Sequence, residues 1–248
     1  MDIRGLLLVN SGDTREEDLS FLASGPLGVV EVAGKTPLER MAERLQRFGI
    51  LPAAAVIETT AFPVRPGSSS AHSYIAVPPD RFWRAAENAF NEMVQNGAEL
   101  VVLVRLGAYA EIDFEHIVQF HLDSGSRVSQ VSHEGKNLDI FCISASRRND
   151  AASLFRSHLS RCRSECPLVE HTGYVNHLSC ARDLRQFAID ILTRQTQTCP
   201  AGQEIKPGVW VERTAIVEKG ARILAPAFVG ALARVRTGAV ITRCSTVE

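Results

Sequence analysis

Residues 10–15, Asn10-Ser11-Gly12-Asp13-Thr14-Arg15, follow directly on the apolar run 3–9. A strand that opens into a polar turn near the start of an α/β chain is a common place for backbone N–H groups to meet a nucleotide's phosphates. This turn carries an acid, Asp13, and a single glycine, Gly12. A phosphate cradle, the remnant of one and an ordinary loop all stay open on these residues alone. A second group with ligand chemistry is His158, Cys162 and Cys166, spaced i, i+4, i+8, with His171 and His177 further on. Zinc uses such residue types, but the spacing is not that of a zinc finger, and Arg161 and Arg163 interrupt it. Core packing is the competing expectation. His116 and His121 lie on one helix, for which packing is expected. Asp113 just before it has the position of an N-cap. The clusters "RFWR", "SRR" and "RCR" read as solvated faces.

The elements that must position these groups follow from periodicity. Residues 3–9, 29–32, 53–58 and 100–104 read as strands, the last apolar throughout as in a strand buried on both faces. Thr36, Pro37 and Glu39 form the N-cap, first helical position and N3 of a capping box. Leu38, Met41, Ala42, Leu45 and Phe48 recur at helical spacing up to Gly49. Asp80 is expected to cap a helix over 81–95, and Asp113 one over 114–123. Further helices are expected near 149–163 and 181–193, and paired strands at "RVSQVSH" and "LDIFCIS". The Pro-, Gly- and Ser-rich stretch 62–73 reads as a loop. Strands alternating with helices predict a three-layer α/β domain with a mainly parallel sheet.

The period then changes. From Val211 the tail divides into VERTAI, VEKGAR, ILAPAF, VGALAR, VRTGAV, ITRCST and VE. Val211, Val217, Ile223, Val229, Val235, Ile241 and Val247 open successive hexads, with Ala215, Ala221, Ala227, Ala233, Ala239 and Ser245 four residues on. That is the hexapeptide signature of a parallel β-helix, the branched residue pointing inward. The predicted domains are 1–200 and 201–248. Hexads that run to "STVE" without a cap helix predict an open coil covered by another copy or another protein.

Bulk properties narrow the partners. Lys plus Arg number 27 and Asp plus Glu 28 in 248 residues, so no footprint for nucleic acid or an anionic membrane stands out. Apolar runs are too short for a membrane helix. The first residues do not read as a signal peptide, and six scattered cysteines argue for reduced thiols, which together predict a cytoplasmic protein.

Four segments carry a family resemblance: "GPLGVVEVAGKTPLERMAERLQRFGI" (25–50), "VVLVRLGAYAEIDFEHIVQFH" (101–121), "GYVNHLSCARDLRQFAIDIL" (173–192) and "IKPGVWVERTAIVEKGARILAPAFVG" (205–230). The chain resembles the sugar-1-phosphate nucleotidyltransferases, or NDP-sugar pyrophosphorylases, of the mannose-1-phosphate guanylyltransferase type. The resemblance implies a Rossmann-like three-layer nucleotidyltransferase domain with a mixed, mostly parallel sheet, followed by a short left-handed parallel β-helix. It implies transfer of a nucleoside monophosphate from an NTP to a sugar phosphate, with Mg²⁺ bridging the phosphates. It places substrate contacts at Asn10, Ser11, Gly12 and Thr14 and catalytic cations at Arg15 and at Lys35 of the "GK"; Glu111 and Asp113, the carboxylates nearest in sequence to the family's metal position, are the candidate metal ligands. Lys35 reads equally as a solvated charge beside a helix start.

The departures are as specific as the matches. The family's turn, roughly G-G-x-G-T-R, keeps Thr14 and Arg15 here, but Asn10, Ser11 and Asp13 replace its glycines. Their β-carbons block close backbone approach. Asp13 adds a like charge, which at ~4 Å and an effective dielectric near 20 costs on the order of 4 kcal/mol per pair. The family's lysine falls at Gly25, and its strand-end metal Asp at Leu106 or Gly107. The segment that usually builds the sugar-phosphate side is short. Three functions stay open: an impaired protein that binds a nucleotide or NDP-sugar as a regulatory or scaffold subunit, associating as a homo-oligomer or with a catalytic paralogue through the β-helix; a working transferase using Arg15, Lys35 and Glu111 or Asp113; and an assembly module alone. Hexapeptide acyltransferases use a histidine in or near their coils, and none lies between 178 and 248.

Overall fold

A computed structural model describes residues 1–10, 26–59, 73–145, 155 and 166–247. The strands of its first part are β1 (Ile3–Val9), β2 (Leu51–Glu58), β3 (Ser73–Val77), β4 (Leu100–Arg105), β5 (Tyr109–Ala110), β6 (Val128–His133), β7 (Lys136–Ser144), β8 (Leu168–Glu170) and β9 (Val175–Asn176). Seven of them form one sheet in the order β3-β2-β1-β4-β7-β6-β8. β3, β2, β1 and β4 run parallel, β7 runs against both β4 and β6, and β8 is parallel to β6. Among the described residues four complete helices pack on it: α1 (Pro37–Arg47), α2 (Phe82–Gln95), α3 (Phe114–Ser124) and α4 (Ala181–Leu192).

The central strands bury both faces because their side chains alternate between two cores. Leu7, Val9, Val102 and Val104 meet Met41 and Leu45 of α1, Phe114 and Ile117 of α3, and Phe187 and Ile191 of α4. Leu6, Leu8, Val101 and Leu103 meet Phe82, Phe90 and Met93 of α2 on the opposite side. This is the expected three-layer arrangement. No helix among the described residues is long and apolar enough to cross a membrane.

Local signals act as expected at α1, where Thr36 and Glu39 form both halves of the capping box, and at α3, where Asp113 accepts from the His116 N–H at 3.1 Å. Elsewhere tertiary structure prevails. Residues 29–32 make no strand: a 3-10 turn (Leu27–Val29) leads to a two-residue hairpin in which Val32 and Lys35 exchange backbone bonds. Ala33 and Gly34 take positive φ there (50° and 82°), the geometry of a primed turn. Asp80 lies in a 3-10 turn (Pro79–Arg81) and caps nothing; α2 starts at Phe82 without a side-chain cap. Of the helix expected at 149–163, only Phe155 is among the described residues.

After α4 the chain forms β10 (Gln203–Lys206), β11 (Val209–Val211), β12 (Ile216–Val217), β13 (Arg222–Ile223), β14 (Ala227–Val229), β15 (Arg234–Val235), β16 (Val240–Ile241) and β17 (Ser245–Val247). From β11 onward each strand pairs in parallel with the third strand after it: Val211 beside Val229 and Val229 beside Val247, Val217 beside Val235, Ile223 beside Ile241. Three hexads thus complete each circuit. Val209, Ile223, Ala227, Val229, Val235 and Ile241 are buried together, with Ala215, Ala221, Ala233 and Ala239 against them. Val217 departs from the pattern and is exposed.

The two parts meet closely. Phe228 of β14 is fully buried in the cluster that holds α1 and Ala201. A Cβ on Gly34 would lie 2.6 Å from Ala201 Cβ and 2.7 Å from Phe228 Cζ, so the hairpin tip admits only glycine there. Arg40 of α1, 2% exposed, donates to the carbonyls of Val32 and Ala33 on one side, and to Thr198 Oγ1 and the Cys199 carbonyl on the other.

Candidate functional site

The strand order reverses between β1 and β4. β1 continues to β2 and β3 on one side, while β4 lies on the other. In open α/β sheets the crevice beyond the carboxyl ends of the strands at such a switch point is where ligands bind. Here those ends are Asn10, the residue after β1, and Arg105, the last residue of β4. Arg105 Nε donates to Asn10 Oδ1 at 2.9 Å, bridging the two strands. Its Nη1 lies 3.4 Å from Asp139 Oδ2, and its Cζ 5.7 Å from the Trp83 ring centroid in the first turn of α2. Asp139 sits in the left-handed region (φ 55°), its N–H donating to Asn137 Oδ1 at 2.7 Å.

The same edge continues through β6 and β8 with groups that satisfy one another. Ser132 Oγ donates to Glu170 Oε2 at 2.7 Å, and the Glu134 N–H donates to Glu170 Oε1 at 2.6 Å. The Ser132 hydroxyl bond holds the Glu170 carboxyl below its ordinary pKa. His133 Nδ1 lies 2.6 Å from the His171 carbonyl, so that nitrogen carries its proton. Burial lowers the pKa of His171.

The residues anticipated from sequence divide. Ser11, Gly12, Thr14 and Arg15, with Asp13 and Gly25, lie outside the described residues. Asn10 stands at the switch point against Arg105. Lys35 is joined to α1, its Nζ 2.5 Å from Glu43 Oε1. Glu111 is buried and accepts from the N–H groups of Gln197 (2.7 Å) and Thr198 (3.2 Å). Asp113 caps α3. At the strand-end position of the family's metal Asp, Leu106 is buried with its N–H on the Leu8 carbonyl, and Gly107 faces open space. No group of three His, Cys, Asp or Glu among the described residues could hold a metal ion. Glu111 and Asp113 are each engaged with backbone, and a guanidinium occupies the end of β4. These residues do not fit a Mg²⁺ site.

Of the zinc-type residues, His158 and Cys162 lie outside the described residues, Cys166 is half-buried against the α2 core, and His177 is exposed. His121 packs as expected, Nδ1 on Ser129 Oγ and Nε2 on Ser144 Oγ, both at 2.9 Å. Sequence reasoning missed Arg105 and Trp83. The available signal was a charge ending an otherwise unbroken apolar run.

No family model and no curated protein matches the chain. A solved structure, HddC from Yersinia pseudotuberculosis, is similar with a TM-score of 0.54, at 14% identity, over 76% of this chain and 98% of its own. The likeness is one of fold. What the two share is a mixed, mostly parallel sheet with helices packed on it.

Proposed function

We propose that the protein is a nucleotidyltransferase-like relative of the NDP-sugar pyrophosphorylases, impaired in catalysis, which binds a sugar nucleotide and acts as a regulatory or scaffold subunit. The sequence resemblance and the likeness in fold to HddC support the lineage. The impairment rests on one observation: the end of β4 carries Arg105, while Glu111 and Asp113 are spent on backbone donors. Transfer chemistry in this lineage relies on a carboxylate-held metal to gather phosphate charge, and these residues supply none.

The six-residue period and the parallel ladders support reading 201–248 as a short left-handed β-helix appended to a 1–200 domain. Exposed Ile216, Leu232 and Val240 on that tail suit association with a second copy or a catalytic paralogue.

Two assays test the reading. With Mg²⁺ and a panel of NTPs and sugar 1-phosphates, pyrophosphate release should stay at background. Turnover in the ordinary enzymatic range of about 1–10³ s⁻¹ would overturn the impairment. GDP-mannose or UDP-glucose at ~100 times its Kd should stabilise the fold by about 2.7 kcal/mol. Absence of any thermal shift across the panel would overturn sugar-nucleotide binding.

A further inference from the structure

We infer that Arg105 is a phosphate-binding residue of the switch-point crevice, holding a ligand's oxyanion directly and without a divalent cation. The inference deepens the nucleotide reading and rests on it for the identity of the ligand, though not for the anion chemistry.

Four observations carry it. The first is position: Arg105 closes β4 beside the end of β1, where an open α/β sheet receives ligands. The second is preorganisation. Nε is fixed by Asn10 at 2.9 Å and the guanidinium carbon stands 5.7 Å from the Trp83 ring, so the planar head is oriented before any ligand arrives. The third is unused capacity. Among the described residues Nη2 has no hydrogen-bond partner, and Nη1 has Asp139 at 3.4 Å, long beside the 2.7–2.9 Å usual for charge-assisted bonds. A guanidinium presents donors in a rigid fork that matches phosphate, so the loose contact leaves that fork for a better acceptor. The fourth is electrostatic. A half-buried fixed cation repels a divalent metal at the same point and supplies the positive charge that a metal would otherwise bring to phosphate.

Asp139 has a defined part in this. It is the internal anion a phosphate must outcompete, and its φ of 55° is one that asparagine adopts readily. Asp139→Asn therefore removes the rival charge with the backbone turn kept.

Trp83, half exposed and set against Arg105, is the reporter. The experiment follows tryptophan emission of the full chain during titration with inorganic pyrophosphate, then GDP-mannose and UDP-glucose, each in EDTA and again in Mg²⁺. The expected results are saturable binding in EDTA, loss of at least tenfold in affinity in Arg105→Gln, a smaller loss in Arg105→Lys, and a gain of several-fold in Asp139→Asn. A Trp83→Phe variant identifies the signal against that of Trp210, and far-ultraviolet circular dichroism checks that each variant is folded. Binding that needs Mg²⁺, binding unchanged in folded Arg105→Gln, or no binding of pyrophosphate or either sugar nucleotide would each overturn the inference. Arg105-dependent binding of pyrophosphate with none of the sugar nucleotides would leave the inference standing and remove the sugar-nucleotide reading. Sugar-nucleotide binding indifferent to Arg105 would do the reverse.

Discussion

His121 is held as a neutral imidazole between two hydroxyls, each able to donate or accept, so both ring nitrogens are satisfied without charge. Burial lowers its pKa from the ordinary 6.5, and burial lowers that of His171 as well. The unfolded chain therefore takes up these protons before the folded one does. Stability from both groups is complete above pH 6.5 and declines as pH falls through and below that value. The carboxylates with lowered values, Glu170, Glu204 and Glu218 among them, weaken the fold only at lower pH. The urea midpoint should thus fall between pH 7.5 and 5.5, and less steeply in His121→Gln, where among the described histidines only His171 keeps a lowered pKa. An equal slope in the variant would refute the assignment. His121 was legible as a packing residue through the family resemblance, which puts a histidine at that position, whereas His116 on the same helix is exposed. Arg105 was not legible as a partner of Asn10: the two are far apart in sequence, and only the β1–β4 pairing brings them together.

Between elements, the segment joining α4 to the coil is clasped by side chains from distant parts of the chain. Glu111 accepts from the Gln197 and Thr198 N–H groups, Arg44 donates to Gln197 Oε1 at 3.0 Å and to the Ile112 carbonyl at 2.7 Å, and Arg40 holds Thr198 and Cys199. Glu111→Ala would leave donors without an acceptor beside Arg44 and should cost about 2–3 kcal/mol in urea denaturation. Glu111→Gln keeps an accepting oxygen and should cost less than half of that. If the two variants were equally destabilised, the charge rather than the acceptor geometry would be what matters. Elements with strong local codes, α1 and α3 with their caps, were readable from sequence. The hairpin at 32–35 was not, because valines that favour a strand are overruled by positive φ at Ala33 and Gly34 and by the carbonyl bonds from Arg40. β3 lacked a signal of its own: "SYIAV" is short, follows a Ser-rich stretch and is only partly buried.

For the molecule as a whole, the six-residue beat of the tail was plain in the sequence, whereas its seating on the α/β body was not: beside the clasp at 197–199 it uses the Phe228 ring and the tip of the 32–35 hairpin. Phe228→Ala should cost about 3–5 kcal/mol, as expected for emptying a fully buried aromatic site. Gly34→Ala should also destabilise, since the added carbon meets both Ala201 and Phe228 and the residue holds φ 82°. With Phe228 already truncated, part of that clash is gone, so the double variant should lose less than the sum of the two singles. Strict additivity in thermal or urea melts would show that the two positions are not coupled.

The burial of Phe228 bears on the order of assembly. The pocket for this ring is built from α1, the 32–35 hairpin and Ala201, on a body whose central pairing joins β1 to β4 across about half of its length. Ladders between successive circuits are local in sequence and quick to form, whereas that parallel pairing is remote and slow. Closure of the sheet is therefore the expected slow step of folding, with the tail winding afterwards on a finished floor.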